Sequence, residues 1–367
     1  VCSSDLKLSG TLEAYWNTTK DLLILFPTSG TGYDNQYRNM GETENKGFEA
    51  SVNWVAINKK NFGLSFGANI SFNKNKIKSL GSLKTMSNDL TQSYWASSEI
   101  GQDYWIEVGG SVGKMYGYVS DGRYEVSDFE RYDEVTETWI LRDGVSSSSA
   151  VGTARPGMMK LKDLDNSGDA NGSDDKRVIG DANPLHTGGF NINARLYGFD
   201  LTANFNWSYG NDIYNANKIE YTSTSKYLYR NLTSDMAGGK RWNNVDAAGN
   251  LVTNMAQLAE MNQNTTMWSP YTDKYIFSDW AVEDGSFLRL NTLTLGYTMP
   301  TTLVKKVGIN NLRFYVTAYN VFCLTSYSGY DPEVSTSRRN GSNLTPGVDY
   351  SAYPKSRQFV VGLNLNF

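Results

Sequence analysis

Histidine occurs once, cysteine twice and proline eight times in 367 residues, and each scarcity removes a class of function. With His186 as the only imidazole, a Ser-His-Asp or Cys-His mechanism would rest wholly on one residue between Pro184 and Gly188. Cys2 and Cys323 lie too far apart in the chain to define a disulfide framework or a zinc site. No apolar run approaches the roughly 18 residues of a membrane-spanning helix, which excludes helical spans and leaves strands untouched. The net charge is −4 and no Lys/Arg block stands out, so the electrostatic footprint of a nucleic-acid binder is missing.

What is present favours strands and turns: 24 Tyr, 15 Phe and 9 Trp beside 34 Gly. Phe62, Leu64, Phe66, Ala68, Ile70 and Phe72 alternate with Gly63, Ser65, Gly67, Asn69, Ser71 and Asn73. Period-2 alternation places every second side chain on one face, here one greasy and one small and polar. The same code runs through Phe48–Ala56 and Phe199–Tyr209. Further strands fit at Leu8–Thr18, Phe190–Tyr197, Phe287–Tyr297, Leu312–Phe322 and Phe359–Phe367, about eight in all. The longer runs match the roughly 9–11 residues a tilted strand needs to cross a bilayer.

Short turns at Asn58–Asn61 and Tyr197-Gly198 alternate with long connections at 74–186, 210–284 and 323–356. Short periplasmic turns and long extracellular loops are the habit of an outer-membrane barrel. A middle-sized connection, Pro300 to Asn311, carries Leu303, Val304 and Val307 before Gly308 and is expected to hold a helical turn. Val1–Leu6 resemble a translated sequencing-adapter end and are set apart from 7–367. The lack of an initiator Met or signal-peptide core leads us to expect a chain that starts mid-protein.

Asp163, Asp165, Ser167, Asp169 and Asp174 fall at alternating positions around Gly168, in the manner of a calcium loop whose twelfth position is Asp instead of Glu. The same string also reads as an acidic, solvated turn. Gly109–Met115 fails the phosphate-loop template, because Met115 stands where a magnesium-binding hydroxyl belongs. Trp242, Trp268, Tyr271 and Trp280 in the long connections offer aromatic platforms for sugar or peptide substrates, or else pack the loops. No paired carboxylates or other catalytic constellation emerges, so no enzyme activity and no required cofactor is expected, with calcium as the one candidate ion.

Several strings carry a family resemblance: Asn39-Met40-Gly41 before Asn45-Lys46-Gly47-Phe48-Glu49; Asp284-Gly285-Ser286-Phe287-Leu288-Arg289-Leu290 through Leu295-Gly296-Tyr297-Thr298-Met299-Pro300; and Tyr327-Ser328-Gly329-Tyr330-Asp331-Pro332-Glu333. Asp163–Gly168, Val178-Ile179-Gly180 and the stretch from Tyr353 to Phe367 join them. Together they resemble the SusC/RagA family of TonB-linked outer-membrane proteins. The resemblance implies a barrel of about 22 strands around a plug, with this chain supplying its C-terminal strands and lacking plug and TonB box. It also implies import of oligosaccharides or peptides, a SusD-like surface lipoprotein as partner, contact with the TonB complex through the plug, and an outer-membrane lipid surround. The competing reading is a secreted β-sandwich or adhesin that binds glycans through its aromatic loops.

Overall fold

The computed structural model describes residues 7–28, 30, 32–33, 35–86, 88–96, 99–224, 229–272, 274–336 and 343–367. Val1–Leu6, set apart above as adapter-like, lie outside the described residues. Eight strands form one antiparallel sheet in chain order: β1 (Leu8–Pro27), β2 (Asn35–Asn58), β3 (Phe62–Leu80), β4 (His186–Leu196), β5 (Phe199–Tyr209), β6 (Phe287–Thr298), β7 (Asn311–Thr325) and β8 (Gln358–Asn366). Each pairs with its sequence neighbour, so this is an open meander with β1 and β8 at its edges. Among the described residues no second sheet of comparable size packs against it, so the sandwich alternative fails for want of a second layer.

Register follows from the alternating code. Phe48 pairs with Phe72, Val52 with Ala68 and Trp54 with Phe66, so one face stays apolar across strands. That face continues through Phe190 opposite Phe205, Leu201 opposite Leu295 and Val316 opposite Val361. Many of its large side chains stand exposed, which water penalises and lipid does not. From Phe62 to Phe72 the apolar row covers roughly 33 Å along the strand, or about 25 Å of membrane thickness after a tilt near 40°. Aromatics mark the short-turn end, where Trp54 stacks on Phe66 at 5.7 Å and Phe199 meets Tyr297 at 4.5 Å.

The first three strands run past the lengths read from the sequence, because β1 and β2 continue as a ribbon beyond the apolar band. Alternation between greasy and small residues stops there, so the sequence code loses its contrast while hydrogen-bonded pairing goes on. The Pro300–Asn311 connection contains the expected helical turn, Thr301–Val304, and ends with Gly308 at φ 78°.

The long connections are not open loops. Trp95, Tyr104 and Met115 from the first, Tyr214, Tyr275 and Phe277 from the second, and Val348 from the third share one hydrophobic core. Tyr214 stacks on Phe277 at 3.7 Å, and Trp95 donates to the Tyr214 hydroxyl at 2.6 Å. A second core gathers Tyr124, Phe129, Met158, Leu161, Met236 and Trp268. The three connections therefore fold into a cap with its own interior.

Candidate functional site

The face opposite the apolar one is lined by Ser, Thr, Asn and charged residues, tied across strands. Thr11 bonds to Ser51 at 2.6 Å, Ser71 to Glu49 at 3.0 Å, Thr202 to Asn193 at 3.0 Å and Thr294 to Thr317 at 2.9 Å. Such pairs are the sheet's unit of stabilisation and keep a polar wall ordered. Near the short turns Arg313 forks onto Asp200, with Nε to Oδ1 at 3.0 Å.

Two tyrosines on this face lie across glycines of the next strand. A Cβ on Gly47 would meet Tyr15 Cζ at 2.2 Å, and one on Gly362 would meet Tyr315 Cζ at 2.1 Å. Both glycines are required by close approach of a ring, as aromatic rescue of strand glycine demands.

Toward the cap, the polar-face position Arg289 of β6 is only 4% exposed. Its Nη2 donates to Asp331 Oδ1 at 2.6 Å. Glu333 Oε2 lies 2.7 Å from its Nε but off the N–H direction, leaving that nitrogen without a hydrogen bond, so this contact is an ion pair alone. Lys355 closes the network on Glu333 at 2.5 Å. A segment of the third long connection is thereby drawn onto the inner wall. Sequence reading quoted the string holding Asp331 and Glu333 without assigning them this role. Sequence parity hides this role, since strict alternation groups Arg289 with Leu293 and Leu295, and only the bulge between Leu290 and Thr292 turns it to the polar face.

A cleft of about 850 Å3 lies at the upper ends of β1–β3, bordered by the segments 109–111 and 181–185. Its lining includes Tyr15, Asn73, Lys114 and Asp181, the last two paired at 2.6 Å.

The acidic string is ordered but differs from the set expected. Asp163 and Asp165 come together with Asp175, each offering one oxygen within 4.8 Å of the others. Asp174, placed at the twelfth position by spacing, is not in the group; the buried Asp175 takes its place, accepting from Leu164 N at 2.7 Å and Asn171 N at 2.7 Å. Desolvation acts to raise the Asp163 carboxyl, yet bonds from Gly168 N–H and the Ser146 hydroxyl hold it below the usual carboxylate range. Asp169 is also outside the group. Against desolvation, the Ser147 and Ser149 hydroxyls pull its carboxyl down to about 2. Ser167 serves the turn, its N–H donating to Asp165 at 2.9 Å and its hydroxyl to the Asp169 carbonyl at 3.2 Å.

The four aromatic candidates separate by burial. Trp242 and Trp268 are 2% and 6% exposed and packed into cap cores, the loop-packing arrangement of the two that the sequence left open. Arg123 covers the Trp242 ring at 4.7 Å, and Trp280 meets Trp268 edge-on at 4.5 Å with Lys218 4.4 Å above its own ring. Tyr271, 65% exposed, alone presents an open ring. His186 sits on the apolar face, accepting from Trp207 Nε1 at 3.0 Å and stacked on Tyr209 at 5.1 Å.

Comparison with known proteins places this geometry. The family described as TonB dependent receptor-like, beta-barrel matches residues 4–151. TonB-dependent receptor P3 of Formosa agariphila is 31% identical over 370 residues, taking in 100% of this chain and 33% of that protein. TonB-dependent receptor SusC of Bacteroides thetaiotaomicron is 25% identical over 374 residues, covering 98% of this chain and 30% of its own. The structure of the RagAB peptide importer in the closed-closed state superposes with a TM-score of 0.68 at 22% identity, over 98% of this chain and 34% of that one, a likeness of fold.

A single antiparallel sheet, greasy outside and polar inside, is an open part of an outer-membrane β-barrel, and along its whole length the chain is similar to TonB-dependent receptors. Within that class the resemblance is to the SusC/RagA receptors, as their shared strings implied. The chain spans about one third of the length of the relatives it matches.

Proposed function

We propose that this chain forms part of the pore wall of a TonB-dependent outer-membrane importer of oligosaccharides or peptides. The observation that carries the reading is the two-faced sheet. Its apolar rows suit lipid, and its ordered Ser/Thr/Asn wall suits a hydrated passage for polar cargo. The chain makes and breaks no bond of the substrate; its work is to bound the passage. Movement of cargo would depend on a plug coupled to TonB and on a SusD-like surface lipoprotein over the cap, partners implied by the family resemblance. Of the four aromatics singled out above, Tyr271 is the one best placed to touch cargo or partner, since its ring is open.

Passage requires no cofactor in this reading. A hard cation would seat at Asp163, Asp165 and Asp175, where carboxylate oxygens converge and oxygen is the preferred ligand of calcium. It would brace the cap.

The deciding experiment is expression of the complete receptor, fractionation, and capture of partners. Recovery in the outer membrane with a SusD-like lipoprotein, and uptake of a glycan or peptide lost on deletion, is the expected result. A soluble, partnerless product would end this reading.

A further inference from the structure

We propose that the outward face of β2 and β3 binds the phosphate groups of an anionic glycolipid of the outer leaflet, through Lys46, Lys74 and Lys76. The inference rests on the outer-membrane barrel reading and adds a ligand site to it.

The outward row of β3 reads Phe66, Ala68, Ile70, Phe72 and then, without a change of parity, Lys74 and Lys76. On β2 the same row passes from Phe48 to Lys46, and on β1 it reaches Trp16. β2 and β3 thus switch character at one height, one side-chain pair beyond Phe48 and Phe72, while β1 carries Trp16 at that level. That step is roughly 5 Å of membrane thickness, which puts the ammonium groups at headgroup level on the long-connection side. Lysine stems can lie along the apolar band while their heads reach the headgroups.

The charges are poorly neutralised by the protein itself. Lys46 stands directly opposite Lys74 in the ladder, a like-charge pairing that costs stability unless an anion sits between. Glu44, opposite Lys76, is the acid that pairs with this patch among the described residues, and it is already taken. It is buried, accepts from Trp16 Nε1 at 2.7 Å, and lies 3.1 Å from Lys46 and 3.9 Å from Lys78. Among the described residues Lys74 and Lys76 have no ion-pair partner. The Lys46 ammonium rests 3.8 Å over the Trp16 ring, a contact that holds it on the outward side.

The patch is confined to one sector. At the same end of the sheet β4 and β5 present His186, Trp207 and Tyr209, and β7 presents Phe322 and Leu324. The large cleft adjoins the patch, with Trp16, Phe48, Phe72 and the three lysines on its wall. Acyl chains along Phe48 and Phe72 with phosphates at the lysines would satisfy both halves of the surface at once.

The test uses the complete receptor in detergent, titrated with lipid A bearing its phosphates and with the same lipid after their removal, and read by native mass spectrometry. Tighter binding of the phosphorylated lipid is expected, with the preference lost by about 100-fold in K46Q/K74Q/K76Q, at about five-fold per lysine. K74Q/K76Q, which spares the Lys46–Trp16 contact, should lose a proportionate part, while K46R/K74R/K76R should retain binding. K59Q/K60Q, at the opposite end of the sheet, should change nothing. Equal binding of both lipids, an unaffected triple Gln variant, or full displacement by millimolar inorganic phosphate would each overturn the proposal. Heat-modifiable gel mobility reads the barrel separately, so failure of the barrel reading cannot pass for failure of the lipid site.

Discussion

Arg289 and Asp331, 42 residues apart in sequence, meet at 2.6 Å on the inner wall, both almost wholly buried. This bond joins a barrel strand to the connection that follows the next strand. It fixes how far that connection leans over the polar face of the sheet.

Removing Asp331 leaves the buried Arg289 with the Glu333 ion pair alone, so the cost should be part of the roughly 3–5 kcal/mol of a buried charge left wholly unpaired. Asp331→Asn should therefore loosen the segment 326–336, seen as faster proteolysis and amide exchange there. Arg289→Met with Asp331→Leu should recover much of the lost stability. If the single variant exchanges no faster than the parent, the pair is not what holds this segment.

Gly362 is required by the Tyr315 ring lying across it. Gly362→Val should lower the barrel's thermal midpoint by roughly 1–3 kcal/mol equivalent, through overpacking. Combining it with Tyr315→Ala should cost less than the two changes summed, since the clash vanishes with the ring. Strict additivity in gel-mobility melts would contradict the geometry.

Burial pushes the Asp103 carboxyl up to about 7, although the Ser93 hydroxyl and N–H both bond to its ionised form and oppose the shift. Unfolded, an Asp titrates near 3.9. Between about pH 4 and 7 the folded state then binds more protons than the unfolded one, so cap stability should fall as pH rises through that window. Asp103→Asn should flatten the dependence. A cap whose melting is equally pH-sensitive with Asn at this position would exclude Asp103 as the cause.

Trp242 and Tyr271 should behave oppositely. Trp242→Ala opens a cavity in a cap core and should destabilise by about 3–5 kcal/mol, measured by cap unfolding. Tyr271→Ala should leave the cap's melting unchanged and alter only affinity for cargo or partner lipoprotein. Equal melting losses would place Tyr271 in the core as well.

Calcium, if it seats at Asp163, Asp165 and Asp175, should raise the cap's melting temperature with added metal and lower it with chelator. Asp175→Asn should abolish the calcium response, whereas Asp174→Asn should not. Insensitivity to calcium in the parent protein would remove the ion from the account.

Period-2 alternation made the sheet legible from the sequence. Residues such as Phe48, Val52, Ala68 and Phe72 need only their local parity to choose a face, and the short turns fix which strands are neighbours. The helical turn after Pro300 was legible too, from Leu303, Val304 and Val307 set before Gly308. The cap was not legible. Trp242 and Trp268 look in sequence like any loop aromatics, and only packing against Val252, Leu258, Met236 and Tyr124 makes them core.

The sequence by itself determined that this protein is a two-faced antiparallel sheet, because alternation is a local property that survives without knowledge of any partner; that no second layer covers the greasy face among the described residues was decided by the tertiary structure. Tertiary structure decided which acid completes the Asp163–Asp165 group, where Arg289 finds its carboxylates, and which aromatics remain open. Those outcomes depend on contacts between segments tens of residues apart. Spacing along the chain carries no record of them, since side-chain convergence is set by how the connections fold over one another.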